Sequence, residues 1–152
     1  MNTAREVWMQ APAGEIYPLA AEVERWPELL PHYRWVRLLE RSANRKLVDM
    51  AASRDGVPVS WRALQTLLPD VPRIEFRHVG GVTRGMEVAW TFHPQDGGTL
   101  VRIEHQLDLR WPVIGRWAAE RVIGPQFIDH IAGKTLRRIK QLAERGAAGG
   151  TA

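Results

Sequence analysis

The chain has 152 residues, 45% hydrophobic and 25% charged, which is room for one globular domain and the wrong composition for a disordered or fibrous chain. It has no cysteine, so disulfides, thiol catalysis and Cys-ligated zinc or iron–sulfur sites are excluded. The net charge is +4, and the excess lies between Ile114 and Arg145, where seven basic residues face three acidic ones.

No stretch approaches the roughly 18–20 apolar residues of a membrane-spanning helix. The start, Met1–Glu6, is polar and lacks an apolar h-region, so no secretory signal is expected and the expected location is cytoplasmic. Seven tryptophans against two tyrosines and three phenylalanines point to a bulky core or a wide apolar pocket, since each indole is large and carries one N–H.

Thr3–Met9 reads as a first strand, broken by Ala11-Pro12-Ala13. Ile16, Leu19, Ala20 and Val23 then recur at helical spacing, with Pro18 near the start of that stretch. Trp26-Pro27 opens a second short helix that Pro31 ends. From Tyr33 the period becomes two. Trp35–Glu40, Lys46–Ala52, Val57–Leu68, Arg73–Val79, Met86–Phe92 and Thr99–Leu109 read as strands joined by short turns, so the sheet should be an antiparallel meander. The loop Gly80–Gly85 lies between two strands rather than before a helix, so it is no phosphate loop; a mobile lip over a pocket is expected there. Residues 114–145 read as one long helix, with a kink or break at Gly124-Pro125. Its apolar stripe must be buried against the sheet. The domain thus spans 1–145, and 146–152 (GAAGGTA) is expected to be a disordered tail.

A curved sheet gripping a long helix leaves a space between them, and an apolar space binds apolar ligands. The expected lining is Trp26, Tyr33, Trp61, Gln65, His78, Met86, Trp90, Ile103, His105, Phe127 and Ile131. Gln65, His78 and His105 fall in phase with apolar neighbours on their strands, and a buried polar group wants a partner. They would share one, a water or the polar head of a ligand. Trp111 and Trp117 would sit at a mouth. Arg62 is one step from Trp61 and Ala63 and should face away from the pocket. The histidines at 32, 78, 93, 105 and 130 lack metal-ligand spacing, and neither Ser53 nor Ser60 has a nucleophile-elbow context. No metal and no cofactor are expected, and no catalytic residue is assigned.

The order of elements, β, two short helices, a run of antiparallel strands and one long helix, resembles the helix-grip fold of the START/SRPBCC superfamily. The segment Ala11-Pro12 with Ile16-Tyr17-Pro18-Leu19, and then Val23-Glu24-Arg25-Trp26-Pro27-Glu28-Leu29-Leu30-Pro31-His32-Tyr33, resembles the N-terminal signature of polyketide cyclase/dehydrase-type and coenzyme-Q-binding-type members. Phe127–Glu144 resembles their C-terminal stretch. The resemblance implies an α+β fold with about seven strands wrapped around the C-terminal helix. In aromatase/cyclases of this kind the Trp-Pro-Glu helix and a nearby tyrosine serve the pocket, and Trp26 and Tyr33 match them. The inward arginine of their long strand has no counterpart here, where Leu67 stands in its place.

Three functions are compatible with this reading. One is a carrier, sensor or chaperone for a hydrophobic small molecule such as a polyketide, quinone, lipid or isoprenoid. Another is a polyketide cyclase/dehydratase-like enzyme. The third is an interaction protein whose basic C-terminal helix meets RNA, the ribosome or an anionic membrane surface. No DNA partner is expected.

Overall fold

The computed structural model describes residues 2–54, 56–81, 83–106 and 125–150. Within them, β1 (Asn2–Met9) is followed by α1 (Ala13–Ala21), a 3-10 turn (Val23–Arg25) and the short α2 (Trp26–Leu29). Six strands follow: β2 (Tyr33–Arg41), β3 (Arg45–Arg54), β4 (Val57–Leu68), β5 (Arg73–Gly81), β6 (Glu87–Gln95) and β7 (Gly98–Gln106). The last helix is α3 (Pro125–Gly150). The sheet has seven antiparallel strands in the order β1-β7-β6-β5-β4-β3-β2. This is the helix-grip arrangement. Among the described residues, no helix is long and apolar enough to cross a membrane.

Alternation decides which face each strand buries. On β6, Val88, Trp90 and Phe92 are buried; on β7, Val101 and Ile103; on β3, Lys46, Val48, Met50 and Ala52. The β6–β7 hairpin turns on Asp96 and Gly97 at φ 53° and 78°. Both central residues of such a turn need positive φ, which Asp tolerates and Gly adopts freely.

Pro27 stands in the first turn of α2, where its missing N–H costs nothing. Helix α1 begins earlier than the sequence suggests, so Pro18 lies inside it. Helix α3 buries Ile128, Ile131, Ala132, Thr135, Leu136, Ile139 and Ala143, a stripe at spacings of three and four. It packs on β1, α1 and β3. Gly133 makes the crossing with β1 tight. A Cβ there would collide with the Arg5 guanidinium, which reaches over it to Asp129 at 2.9 Å.

Two expectations need correction. Helix α3 runs through Gly150, so the end expected as a tail from residue 146 is helical as far as that residue; the helical segment simply continues past Arg145. The basic face of α3 is also less free than its charge suggests. Arg138 Nε donates to the Leu29 carbonyl at 3.0 Å. Lys140 Nζ donates to the Trp8 carbonyl at 3.2 Å and to Glu144 at 2.8 Å. These two cations tie the helix to the body of the protein, and among the described residues no feature specifically supports an RNA or membrane partner. The expected kink at Gly124, strand residues 107–109, Trp111 and Trp117 lie outside the described residues.

Candidate functional site

Between the sheet and α3 lies a cavity of about 70 Å³. The sheet contributes Met50, Trp61, Phe76, His78, Val88, Trp90, Ile103 and His105. Helix α3 contributes Ile128, Ile131, Ala132 and Thr135, while Trp26, Tyr33, Thr83 and Met86 close the sides. The open volume is small because aromatic rings fill most of the gap. Trp26 lies 4.8 Å from Tyr33, 6.0 Å from Trp90 and 6.3 Å from Phe76 between ring centroids, all tilted. The Trp26 indole N–H donates to the Leu19 carbonyl at 3.0 Å, which satisfies its one polar atom and turns the apolar ring to the cavity.

The polar groups form two hydrogen-bonded sets. In one, His78 stacks on Trp61 with centroids 5.5 Å apart and rings 12° from parallel. Its Nδ1 is 2.6 Å from the Thr83 hydroxyl. His105 lines the same cavity and has no hydrogen-bond partner among the described residues. Burial holds the His78 imidazole down at about 3, with His105 adding to the effect. Burial also holds His105 down at about 4, partly opposed by the Asp129 carboxylate. Both rings are therefore neutral near pH 7, and each carries one donor and one acceptor nitrogen, one of those on His78 being taken by Thr83.

In the other set, the Thr135 hydroxyl donates to the Ile131 carbonyl at 2.8 Å. Having given its only proton, it accepts from His32 Nε2 at 2.9 Å, which fixes the His32 tautomer. Burial lowers His32 to about 4, helped by the Lys134, His130 and Arg137 charges. The Tyr33 hydroxyl is within reach of Thr135, and full burial pushes its pKa well above the ordinary value.

Of the residues expected from sequence, Trp26, Tyr33, Trp61, His78, Met86, Trp90, Ile103, His105 and Ile131 all line the cavity. The side chain of Phe127 lies outside the described residues. Gln65 is a correction. It is fully buried on the inner face, but its Nε2 donates to the Ala21 carbonyl at 3.0 Å at the end of α1, away from the cavity. Lys46 converges on the same point, with Nζ 3.4 Å from the Ala21 carbonyl and 2.8 Å from Glu24 Oε1. The cluster holds the short helices to the sheet, as cations and donors do at a helix C-terminus.

Arg62 faces outward as parity requires, bidentate to Asp49 at 2.7 and 3.1 Å. Thr83 and Thr135 were not foreseen. Thr135 belongs to the buried stripe of α3, which could have marked it. Thr83 sits in an aperiodic turn with no such signal. That turn, expected as a mobile lip, is instead bonded to β5: Gly85 N–H donates to the His78 carbonyl at 3.0 Å and His78 N–H to Met86 at 2.9 Å. Among the described residues, no group of three or more His, Asp or Glu is placed to hold a metal.

The fold is shared with known proteins. The Zhui aromatase/cyclase from Streptomyces sp. R1128 superposes with a TM-score of 0.85 at 18% identity, over 95% of this chain and 94% of that one. The di-domain aromatase/cyclase StfQ of the steffimycin pathway gives 0.82 at 21% identity, over 97% of this chain and 52% of its own. In sequence, the chain is 30% identical over 141 residues to the actinorhodin polyketide synthase bifunctional cyclase/dehydratase of Streptomyces coelicolor. That match takes in 90% of this chain and 42% of the relative, so the chain spans less than half of the bifunctional protein. Residues 9–130 match the family model described as polyketide cyclase / dehydrase and lipid transport. That match includes the Trp-Pro-Glu helix, Tyr33 and every cavity-lining strand, and on it the chain belongs to this family.

Proposed function

We propose that the chain binds a hydrophobic small molecule of polyketide type in the cavity beneath α3, as a carrier, sensor or chaperone. The observation that carries this reading is the lining: a cage of Trp26, Trp61, Trp90 and Phe76 with a few neutral polar groups among them. Apolar walls with sparse, placed polar atoms are what small-molecule sites are made of. The family match supports the ligand class.

A second reading, cyclisation or dehydration of a bound polyketone, draws on the likeness to cyclase/dehydratases and on His78 and His105 in the cavity. Acid–base catalysis works best with a group that titrates near the operating pH. Imidazoles held at about 3 and about 4 stay unprotonated at neutrality, so neither is a ready proton donor.

The test starts with native mass spectrometry of the purified protein and extraction of whatever travels with it. Because three of the described tryptophans line the cavity, a flat aromatic ligand should quench tryptophan fluorescence saturably. Absence of both a co-purifying mass and saturable quenching overturns the binding reading. Loss of water from an added poly-β-ketone, abolished by His105→Leu, would move the conclusion to the enzyme.

A further inference from the structure

Where α3 crosses β1, two guanidinium groups converge on one point of the helix. Arg5 alternates in phase with Thr3 and Val7 on the half-buried face of β1, and Arg137 stands one turn after Gly133 on α3. A Cβ on Gly133 would lie 2.5 Å from Arg5 Nη2 and 3.3 Å from Arg137 Nη1, so an atom at that notch touches both. Glycine is a poor helix former, and here its bare Cα lets the two cations come this close. Arg5 has a counter-charge, since its Nη1 donates to Asp129 Oδ2 at 2.9 Å. Its Nη2 is left at the notch, and among the described residues Arg137 has no ion-pair or hydrogen-bond partner. Lys134, next to Gly133 and exposed like Arg137, adds another positive charge. Like charges held this close repel, and one carboxylate does not balance them. The side chains of Arg5 and Asp129 are 40% and 41% exposed, so the notch opens to solvent.

We propose that this notch is a binding site for a phosphate dianion, free or carried as a monoester, held between Arg5 Nη2 and Arg137 Nη1 over Gly133. Two guanidinium groups suit a tetrahedral oxyanion, because each offers charge-assisted N–H donors to more than one oxygen. With Asp129 counted, the two arginines leave one positive charge, and Lys134 supplies a second. A dianion is balanced there. The site lies where α3 meets β1 and does not depend on what fills the apolar cavity.

The experiment is an NMR titration of the full chain with inorganic phosphate and, separately, with glycerol 2-phosphate. It is run at pH 8, where both probes are largely dianionic, in a buffer free of other phosphate and of sulfate. The backbone amide signals of Gly133, Lys134 and Arg137 should shift saturably and with one affinity. Arg137→Gln alters a side chain without a described partner and should weaken phosphate at least about tenfold, the scale of a hydrogen bond to a charged group. Gly133→Ala fills the notch and should abolish binding. Arg145→Gln removes the same charge further along α3, and at that distance screening should keep the affinity within about twofold. Binding of both probes assigns the site to the phosphate group itself, and exclusion of the ester assigns it to the free ion. Shifts that never saturate, or equal losses in Arg137→Gln and Arg145→Gln, mean diffuse attraction to a basic helix and overturn the proposal.

Discussion

Gln65 and His78 stand on adjacent strands, both on the inner face, 0% and 5% exposed. Their surroundings differ. Gln65 donates into the end of α1 beside the buried Lys46–Glu24 pair, where chain packs against chain. His78 gives one nitrogen to Thr83, and its ring lines open space. Burial alone therefore does not separate a structural polar group from a functional one. What separates them is whether the group meets packed protein or a cavity. The polar cluster at α1 fixes the wall, and the polar groups of the cavity are available to a ligand.

The largest effect should come from protons, which attack the cavity. A histidine whose folded pKa is depressed binds fewer protons folded than unfolded. Its contribution is fully present above the unfolded value near 6.5 and is lost as pH falls toward the folded value. For His78 and His105 that window runs from about 6.5 down to about 3 and about 4. Each should cost about 1.4 kcal/mol of stability per pH unit inside it, and His32 acts in the same direction. Urea unfolding at pH 7.5, 6.5, 5.5 and 4.5 should show this decline. A flat profile would mean that these imidazoles are not buried in neutral form.

Next in size is the cluster at α1. Lys46→Met removes a charged donor from Glu24 and leaves the Ala21 carbonyl to Gln65 alone. A loss of about 2–3 kcal/mol is expected, the scale of a hydrogen bond to a charged group. Once the variant is folded, ligand affinity should be little changed. A variant of normal stability that no longer quenches with ligand would reverse the assignment of the two polar regions.

Much of this division was legible in the sequence, and the limits have physical causes. Strand alternation placed His78, Trp90, Ile103 and His105 inward, and the same parity placed Arg62 outward. The phase of β3, with Lys46, Val48 and Met50 all buried, carried the inward lysine too, had it been followed. Parity cannot show what lies above each part of a face. Gln65 shares the inward phase of Trp61 and Ala63 yet misses the pocket because the end of α1 covers that part of the sheet, a long-range contact with no local signature. Thr83 was invisible for the opposite reason: its turn has no period, and only the closure of β5 onto β6 brings it to His78.

The part played by the cavity is sharpened by His105→Leu. The substitution keeps the approximate volume and removes both ring nitrogens. Affinity for a neutral aromatic with one oxygen should fall by about 1–2 kcal/mol, the scale of one hydrogen bond with partial desolvation. Affinity for the bare hydrocarbon should be unchanged or improved. Equal losses for both ligands would mean that His105 shapes the wall and makes no hydrogen bond to the oxygen.

The smallest effect is expected at Arg62, and it tests the register on which every inward assignment depends. Arg62 is one residue from Trp61, whose ring lines the cavity, and a strand reverses its side chains at each step. The pairing of β4 with β5 shifts between Arg62 and Ala63, and such an irregularity is where a side chain can be re-aimed. Here the side chain stays outside, half exposed and bidentate to Asp49. The Asp49 carboxyl is correspondingly held below its ordinary range by that hydrogen bond. An exposed pair of this kind contributes little to stability. Arg62→Leu should therefore leave ligand affinity where it was and change the unfolding midpoint only slightly. A large loss of affinity would mean that the guanidinium reaches the ligand. The inner and outer faces of β4 would then have to be exchanged.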